Sequence, residues 1–300
     1  EPCLSTLYRP KDKCKEKDDV DIFIEKLRAI EFELLLQDHP FVKEVYNKGF
    51  NVNYLGQQKT VPIKISYSGL AQHYGLETDL IDFTSDKWVA AFFATNKSKS
   101  SDARSNEYIP VKDGEYGVIY RYMLFPESTE KLSDPNYHPG FETVGLQPLS
   151  RPGEQRAFAL RLDKGENMNK IPSVQWKIFI HNQTASKIIH SRMNQGNCLF
   201  PPDELIPLAN KIKETKKFST KAFDLAWKRH PVPGIDKENV IHALKQKNIK
   251  ICNHTLFRFP KDLARRFRHH WQKEGANRFY DKIVGRAGFV MESETTRNQE

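Results

Sequence analysis

The order of apolar and polar residues changes character twice within residues 70–96. A helical pattern over residues 68–74 ends at Gly75, because glycine readily takes the left-handed conformation that closes a helix. Leu80–Thr84 then alternates between apolar and polar residues, as a strand does, and a second helical pattern begins at Ser85. Polar side chains at each junction of this helix, strand and helix predict a functional site.

Patterns elsewhere predict a mixed order of elements. A helix begins near Asp18 and Asp19 and runs to Gln37, with an apolar stripe of Phe23, Leu27, Ile30 and Leu34. Strand-like alternation occurs at residues 4–9, 61–66, 117–124, 154–162 and 174–180. Further helical patterns occur at residues 186–194, 203–217, 220–229, 237–247 and 261–274. We therefore predict an α+β fold with a mixed or antiparallel sheet core and flanking helices.

Charge divides the chain into two regions. Residues 206–300 contain 21 Lys and Arg against 10 Asp and Glu, a net charge of +11, whereas residues 1–205 contain 26 against 28, a net charge of −2. We predict one domain over residues 1–205 and a basic helical extension over residues 206–300. The extension has either a polyanionic partner or a solvated lysine-rich surface, and the sequence favours neither.

The last predicted helix concentrates the basic residues. Leu263, Phe267 and Trp271 form its apolar stripe, which favours a helix docked on the rest of the chain. A nucleic-acid contact is the alternative, and it would use three arginines on the remaining circumference, Arg265, Arg266 and Arg268.

Composition excludes several classes of protein. No apolar run approaches the ~20 residues that span a bilayer, so we predict no membrane partner. The four cysteines are scattered without zinc spacing, which favours a reducing, cytoplasmic setting and no metal. Walker, GxGxxG, GxSxG and HExxH motifs are absent from the sequence.

Several polar residues are candidates for chemistry. Asp82 lies between apolar residues of a strand, so it is either paired with an arginine, Arg9 or Arg151, or faces a cavity. His73 is either a structural hydrogen-bonding group or a catalytic one. Thr84 and Ser85 precede a helix, where they either cap it or help to bind an anion.

Gln155 lies at one end of the predicted strand 154–162, on a face whose middle residues are small. Such a face is suited to close helix packing, and it equally suits the floor of a ligand cleft.

The segment GLAQHYGLETDLIDFTSDKWVAAFFA resembles the signature of the FRG domain family. Leu7-Tyr8-Arg9 resembles the motif that names the domain, although Pro10 replaces its glycine. Arg151, Gln155 and Phe158 resemble an R-x-x-x-Q-x-x-F motif of the family, and residues 198–201 resemble its closing LFP.

The layout of this family resembles that of ADP-ribosyltransferases, which use NAD as a substrate. The resemblance implies catalytic roles for Gln155, His73 and Thr84. It also implies five residues that bind the cofactor, Arg9, Tyr74, Asp82, Ser85 and Arg151. The function so implied is ADP-ribosylation of a macromolecule in a toxin or anti-phage setting. The alternative is a non-catalytic module that binds nucleotides or nucleic acid.

Overall fold

The structure, a computed structural model, describes residues 2–10, 17–48, 50–54, 57–61, 65–99, 107–123, 141–144, 149–201, 203–270 and 273. Its helices are α1 (Asp19–Gln37), α2 (Pro40–Lys48), α3 (Tyr67–His73), α4 (Lys87–Thr95), α5 (Ser150–Glu154), α6 (Gln183–Arg192), α7 (Ile206–Glu214), α8 (Thr220–Arg229), α9 (Lys237–Gln246) and α10 (Lys261–His270). Its strands are β1 (Phe50–Tyr54), β2 (Gln57–Val61), β3 (Leu80–Thr84), β4 (Asn96–Ser98), β5 (Tyr108–Pro110), β6 (Tyr116–Tyr122), β7 (Phe141–Thr143), β8 (Ala157–Arg161), β9 (Val174–Ile180), β10 (Lys217–Ser219) and β11 (Lys250–Cys252).

The middle of the chain forms several small β-sheets. Strands β3, β8 and β7 form an antiparallel sheet with β8 in the centre, and β6 pairs antiparallel with β9. Strands β10 and β11 form a parallel pair. These sheets and the helices between them confirm the predicted mixture of helices and strands with antiparallel pairing.

Helix α1 runs through two hydrophobic cores. Asp18 caps it as expected, since its carboxylate accepts a hydrogen bond from the backbone N–H of Asp21 at 2.6 Å. Its first half packs against α8 and α9, where Phe23 meets Phe223 edge to face. Its second half packs against α3 and α7. One helix therefore supports both the middle of the chain and its C-terminal region.

An ion pair reinforces the contact between α1 and α8. The guanidinium of Arg229 donates to both carboxylate oxygens of Glu33, at 2.6 and 3.0 Å.

The predicted boundary at residue 205 is not tested by this packing and stays a prediction.

Three predicted elements are wrong in detail. Residues 4–9 form a turn instead of a strand, with the N–H of Leu7 donating to the carbonyl of Thr78. The predicted strand 154–162 begins only at Ala157, because Arg156 has a positive φ of 45° that reverses the chain after α5. The predicted helix 203–217 is α7, after which Lys217–Ser219 pairs as β10.

One prediction falls on a residue outside this range. The apolar contact predicted for Trp271 lies outside the residues that the structure describes.

Candidate functional site

A cleft of about 350 Å³ opens beside β3, between the end of α3, helix α4 and strand β6. We call it the β3 cleft. Its polar lining consists of Cys3, His73, Asp82, Thr84, Tyr120 and Gln155, and its apolar lining of Ile81, Phe83, Val89, Ala90, Phe93, Ala94, Val118, Ile119, Ala157 and Met168.

The chain brings four of the predicted site residues together here. His73 ends α3, Asp82 and Thr84 lie on one face of β3, and Gln155 follows α5. Pairing of Thr84 with Ala157 places the end of β3 beside the residues that follow α5. The helix, strand and helix pattern therefore does build one wall of a cleft.

His73 and Asp82 form the polar centre of the cleft. The His73 side chain is 3 % exposed, and its Nε2 lies 3.9 Å from the Asp82 carboxylate without a hydrogen-bond partner among the described residues. Burial lowers the pKa of His73, although Asp82 opposes this effect. The imidazole is therefore neutral at pH 7. Asp82 is 49 % exposed, which agrees with the cavity-facing alternative for this residue.

Gln155 holds the imidazole in place. Its amide donates to the carbonyl of Leu199 at 3.0 Å and hydrogen-bonds the His73 ring. Because Gln155 is buried and caps α5, its amide is fixed between these two groups. Its position suits orientation of His73, and the catalytic role predicted for Gln155 stays a prediction.

Thr84 joins β3 to the two flanking helices. Its hydroxyl donates to the carbonyl of Gln155 at 2.7 Å and accepts from the N–H of Asp86 at 3.0 Å. Asp86, rather than Thr84 or Ser85, caps α4, because its carboxylate accepts from the N–H groups of Trp88 and Val89. The predicted capping role of Thr84 and Ser85 is therefore wrong.

The other predicted cofactor residues do not line this cleft. Arg9 is exposed, and its guanidinium donates to the carbonyl of Leu4 at 3.1 Å. Ser85 is also exposed. Tyr74 is buried, and its hydroxyl donates to the Asp203 carboxylate.

Arg151 supports the cleft from behind. Its guanidinium is buried above the rings of Tyr74 and Phe200, at 5.8 and 5.2 Å from their centroids. It donates to the backbone carbonyl of His73 at 3.1 Å, and burial lowers its pKa. Arg151 therefore fixes the end of α3. The ligand contacts predicted for Arg9, Tyr74, Ser85 and Arg151 stay predictions.

Sequence reasoning missed the opposite wall of the cleft. Cys3, Tyr120 and Met168 come from the N-terminus, β6 and a short 3-10 turn, Met168–Lys170. Burial, and then the nearby Cys3, raise the pKa of Tyr120 to about 12. The predicted strand 117–124 includes Tyr120 but did not place its ring in a cleft, and no local pattern pointed to Cys3.

The predicted nucleic-acid residues lie on α10. Leu263 and Phe267 dock this helix on the core around His39 and Phe259. All three arginines, Arg265, Arg266 and Arg268, are exposed. Arg266 pairs with Glu204 at 2.8 Å, and Arg265 lies 3.8 Å from Asp262. The docked apolar side leaves the basic side facing solvent.

The described residues contain no group of three or more His, Cys, Asp or Glu side chains placed to hold a metal ion. Among them, no helix combines the length and apolar character needed to cross a membrane.

Comparison with known proteins agrees with the central motif. The model of the FRG domain matches residues 5–103, a range that includes His73, Asp82 and Thr84. No curated protein and no solved structure matches the chain. Together with the signature at residues 69–94, the match shows that the chain contains an FRG domain within residues 5–103.

Proposed function

We propose that the β3 cleft binds the nicotinamide–ribose end of NAD and that the protein transfers ADP-ribose to a macromolecule. The observation that supports this proposal is the meeting of His73, Asp82 and Gln155 in one cleft with apolar walls. In this proposal the middle sheet and its flanking helices form an ADP-ribosyltransferase-like core. The setting we propose is a cytoplasmic toxin or an anti-phage defence protein.

The walls suit a planar ring. Phe93 and Tyr120 line the cleft, and Ala90 and Ala94 leave space on the α4 side. Aromatic rings favour offset or edge-to-face contacts with other rings, which stabilise a bound nicotinamide. The planar base therefore enters between α4 and β6, and the ribose lies toward Asp82.

Asp82 is the group that meets the developing charge. The bond between ribose C1′ and the nicotinamide nitrogen breaks, and both electrons leave with the nicotinamide, which departs neutral. The ribose is left as an oxocarbenium ion, which the Asp82 carboxylate stabilises electrostatically. A nucleophile of the target then attacks C1′, and its proton passes to Asp82.

His73 acts as a neutral hydrogen-bonding group. Its unpartnered Nε2 faces Asp82 and is available to a ribose hydroxyl. Gln155 and Arg151 are positioning residues, because one contacts the ring and the other the backbone carbonyl of His73. Fixing the reacting groups in this way lowers the entropic cost of reaching the transition state.

The exposed arginines of α10 are the proposed contact with a nucleic-acid target. Replacing Arg265, Arg266 and Arg268 by Gln removes three exposed charges from α10. We expect weaker binding to RNA or DNA and a slope of log K against log salt that is shallower by roughly 2–3. An unchanged slope would reject this contact.

The experiment for the enzymatic proposal is release of labelled nicotinamide from NAD. Replacement of Asp82 by Asn keeps the shape of the side chain and removes its charge, and we expect release to fall by roughly 10²–10³-fold. Asp224→Asn is the matched control, since Asp224 is half-exposed and pairs with Lys237 away from the cleft. The proposal fails if the wild-type protein neither binds nor cleaves NAD, or if both variants behave alike.

A second function is favoured by one observation. Among the described residues that line the cleft there is no Lys or Arg to meet the phosphates of NAD. This favours a non-catalytic module that holds an uncharged nucleoside. Calorimetry with nicotinamide riboside, adenosine and NAD separates the two functions. Adenosine binding that exceeds NAD binding, without nicotinamide release, supports the module.

A further inference from the structure

A second cavity, of about 410 Å³, lies at the opposite end of the β3–β8 pair. The β3 cleft is at the end where Thr84 pairs with Ala157. The second cavity is at the end where Leu80 pairs with Arg161. Helix α1 and the end of α8 complete its walls, so residues of the C-terminal region help to form it. We call it the Lys26 cavity.

Most charges around this cavity are already paired. Glu33 accepts two hydrogen bonds from Arg229, and Asp79 accepts one from Arg161 at 2.6 Å. Arg161 also reaches Glu142 at 3.3 Å. The guanidinium groups therefore offset part of the negative charge of these carboxylates and weaken their attraction for a cationic ligand.

Lys26 is paired less well than the other cations. Its ammonium lies 3.9 Å from the Asp79 carboxylate, which is beyond hydrogen-bond distance, although its side chain is only 17 % exposed. Its one hydrogen bond among the described residues runs to Nδ1 of His230 at 3.2 Å. An ammonium has three donors, so two remain for a group inside the cavity.

His230 adds another donor. Burial, and then the neighbouring Lys26, lower the pKa of His230 to about 4, so the imidazole is neutral at pH 7. Because Nδ1 accepts from the ammonium of Lys26, the ring hydrogen is on Nε2. The cavity is thus provided with N–H donors from two neighbouring side chains.

We propose that the Lys26 cavity is a second ligand site for a small molecule with a single carboxylate, held by the ammonium of Lys26 and the Nε2–H of His230. A doubly charged anion is disfavoured, because Asp79, Glu142 and Glu33 also line the cavity and repel it. Water occupies about 30 Å³ per molecule in the liquid, so the volume accommodates a carboxylate with a small organic body.

Benzoate is the probe that tests this site, titrated at constant ionic strength with the full chain and followed by NMR. Lys26→Met keeps the aliphatic stem and removes the charge, and we expect benzoate to bind about tenfold more weakly or worse. Lys43→Met is the control, because Lys43 is exposed and pairs with Asp38 on the surface. Equal benzoate affinity of the two variants, or no saturable binding to the wild type, would overturn the site.

A second variant changes affinity in the opposite direction. Glu142→Gln removes a repelling carboxylate and frees Arg161 from one partner. We expect this variant to bind benzoate several-fold more tightly and to gain measurable affinity for inorganic phosphate. If circular dichroism shows that Lys26→Met does not fold, the Glu142→Gln variant tests the site by itself. Unchanged affinity for benzoate and phosphate would contradict the proposal.

Discussion

Replacing Gln155 by Met separates the positioning role of this amide from its bulk. The methionine side chain is unbranched and of similar length, so it fills the same space without leaving a large cavity. The substitution removes the hydrogen bond to the carbonyl of Leu199 and the hydrogen bond to the His73 ring. Both groups are then left without this partner in a buried place.

The size of the effect follows from these two groups. A buried polar group that loses its partner costs about 1–3 kcal/mol, so two such groups cost about 2–6 kcal/mol of the free energy of unfolding. This is a large part of the roughly 5–15 kcal/mol that stabilises an ordinary domain. The same change at an exposed glutamine, Gln175→Met, is expected to cost less than about 0.5 kcal/mol.

Urea denaturation of the two variants measures this difference, and NAD turnover measured below the transition gives the second readout. We expect Gln155→Met to lose nicotinamide release even where it is fully folded, because His73 is no longer held toward Asp82. A loss of stability indistinguishable from that of Gln175→Met would refute the hydrogen-bonding scheme. Normal turnover by a folded Gln155→Met variant would refute the positioning role.

Three further predictions concern the rest of the molecule. Phe223→Ala is expected to lower the free energy of unfolding in urea by about 3–5 kcal/mol, because Phe223 of α8 is buried against Phe23 of α1. A loss below about 1 kcal/mol would contradict that packing. Burial lowers the pKa of His39 to about 3, so the folded state binds a proton less readily than the unfolded state. The free energy of unfolding should therefore fall as the pH drops from 6.5 toward 3. Denaturation of His39→Asn at a series of pH values should show a weaker dependence on pH, and an unchanged dependence would contradict the assignment to His39. Tyr74→Phe leaves the buried Asp203 carboxylate without its hydroxyl donor, and we expect the free energy of unfolding to fall by about 1–3 kcal/mol. An unchanged free energy of unfolding would show that solvent replaces that donor.

Local patterns predicted the elements whose residues interact with near neighbours. The capped start of α1, the alternation of β3 and the helical pattern of α8 each depend on spacings of two to four residues. The wall of the cleft that carries His73, Asp82 and Thr84 could be predicted for the same reason, since these residues lie within a dozen positions of one another.

Long-range pairings explain what the sequence alone did not predict. The hydroxyl of Tyr74 is bound by Asp203, which lies 129 residues away, so a ring expected to stack on a ligand is buried instead. The positive φ of Arg156 places Gln155 before the strand, and alternation cannot reveal such a reversal. Strands β10 and β11 pair across more than thirty residues with three residues each, too few for a clear period.

A crystal structure of the protein soaked with NAD tests most directly whether the β3 cleft binds NAD. We expect electron density for the nicotinamide ring between Phe93 and Tyr120, with the ribose next to Asp82 and His73. Density for NAD at another place, or a β3 cleft that stays empty while NAD binds in solution, would contradict it.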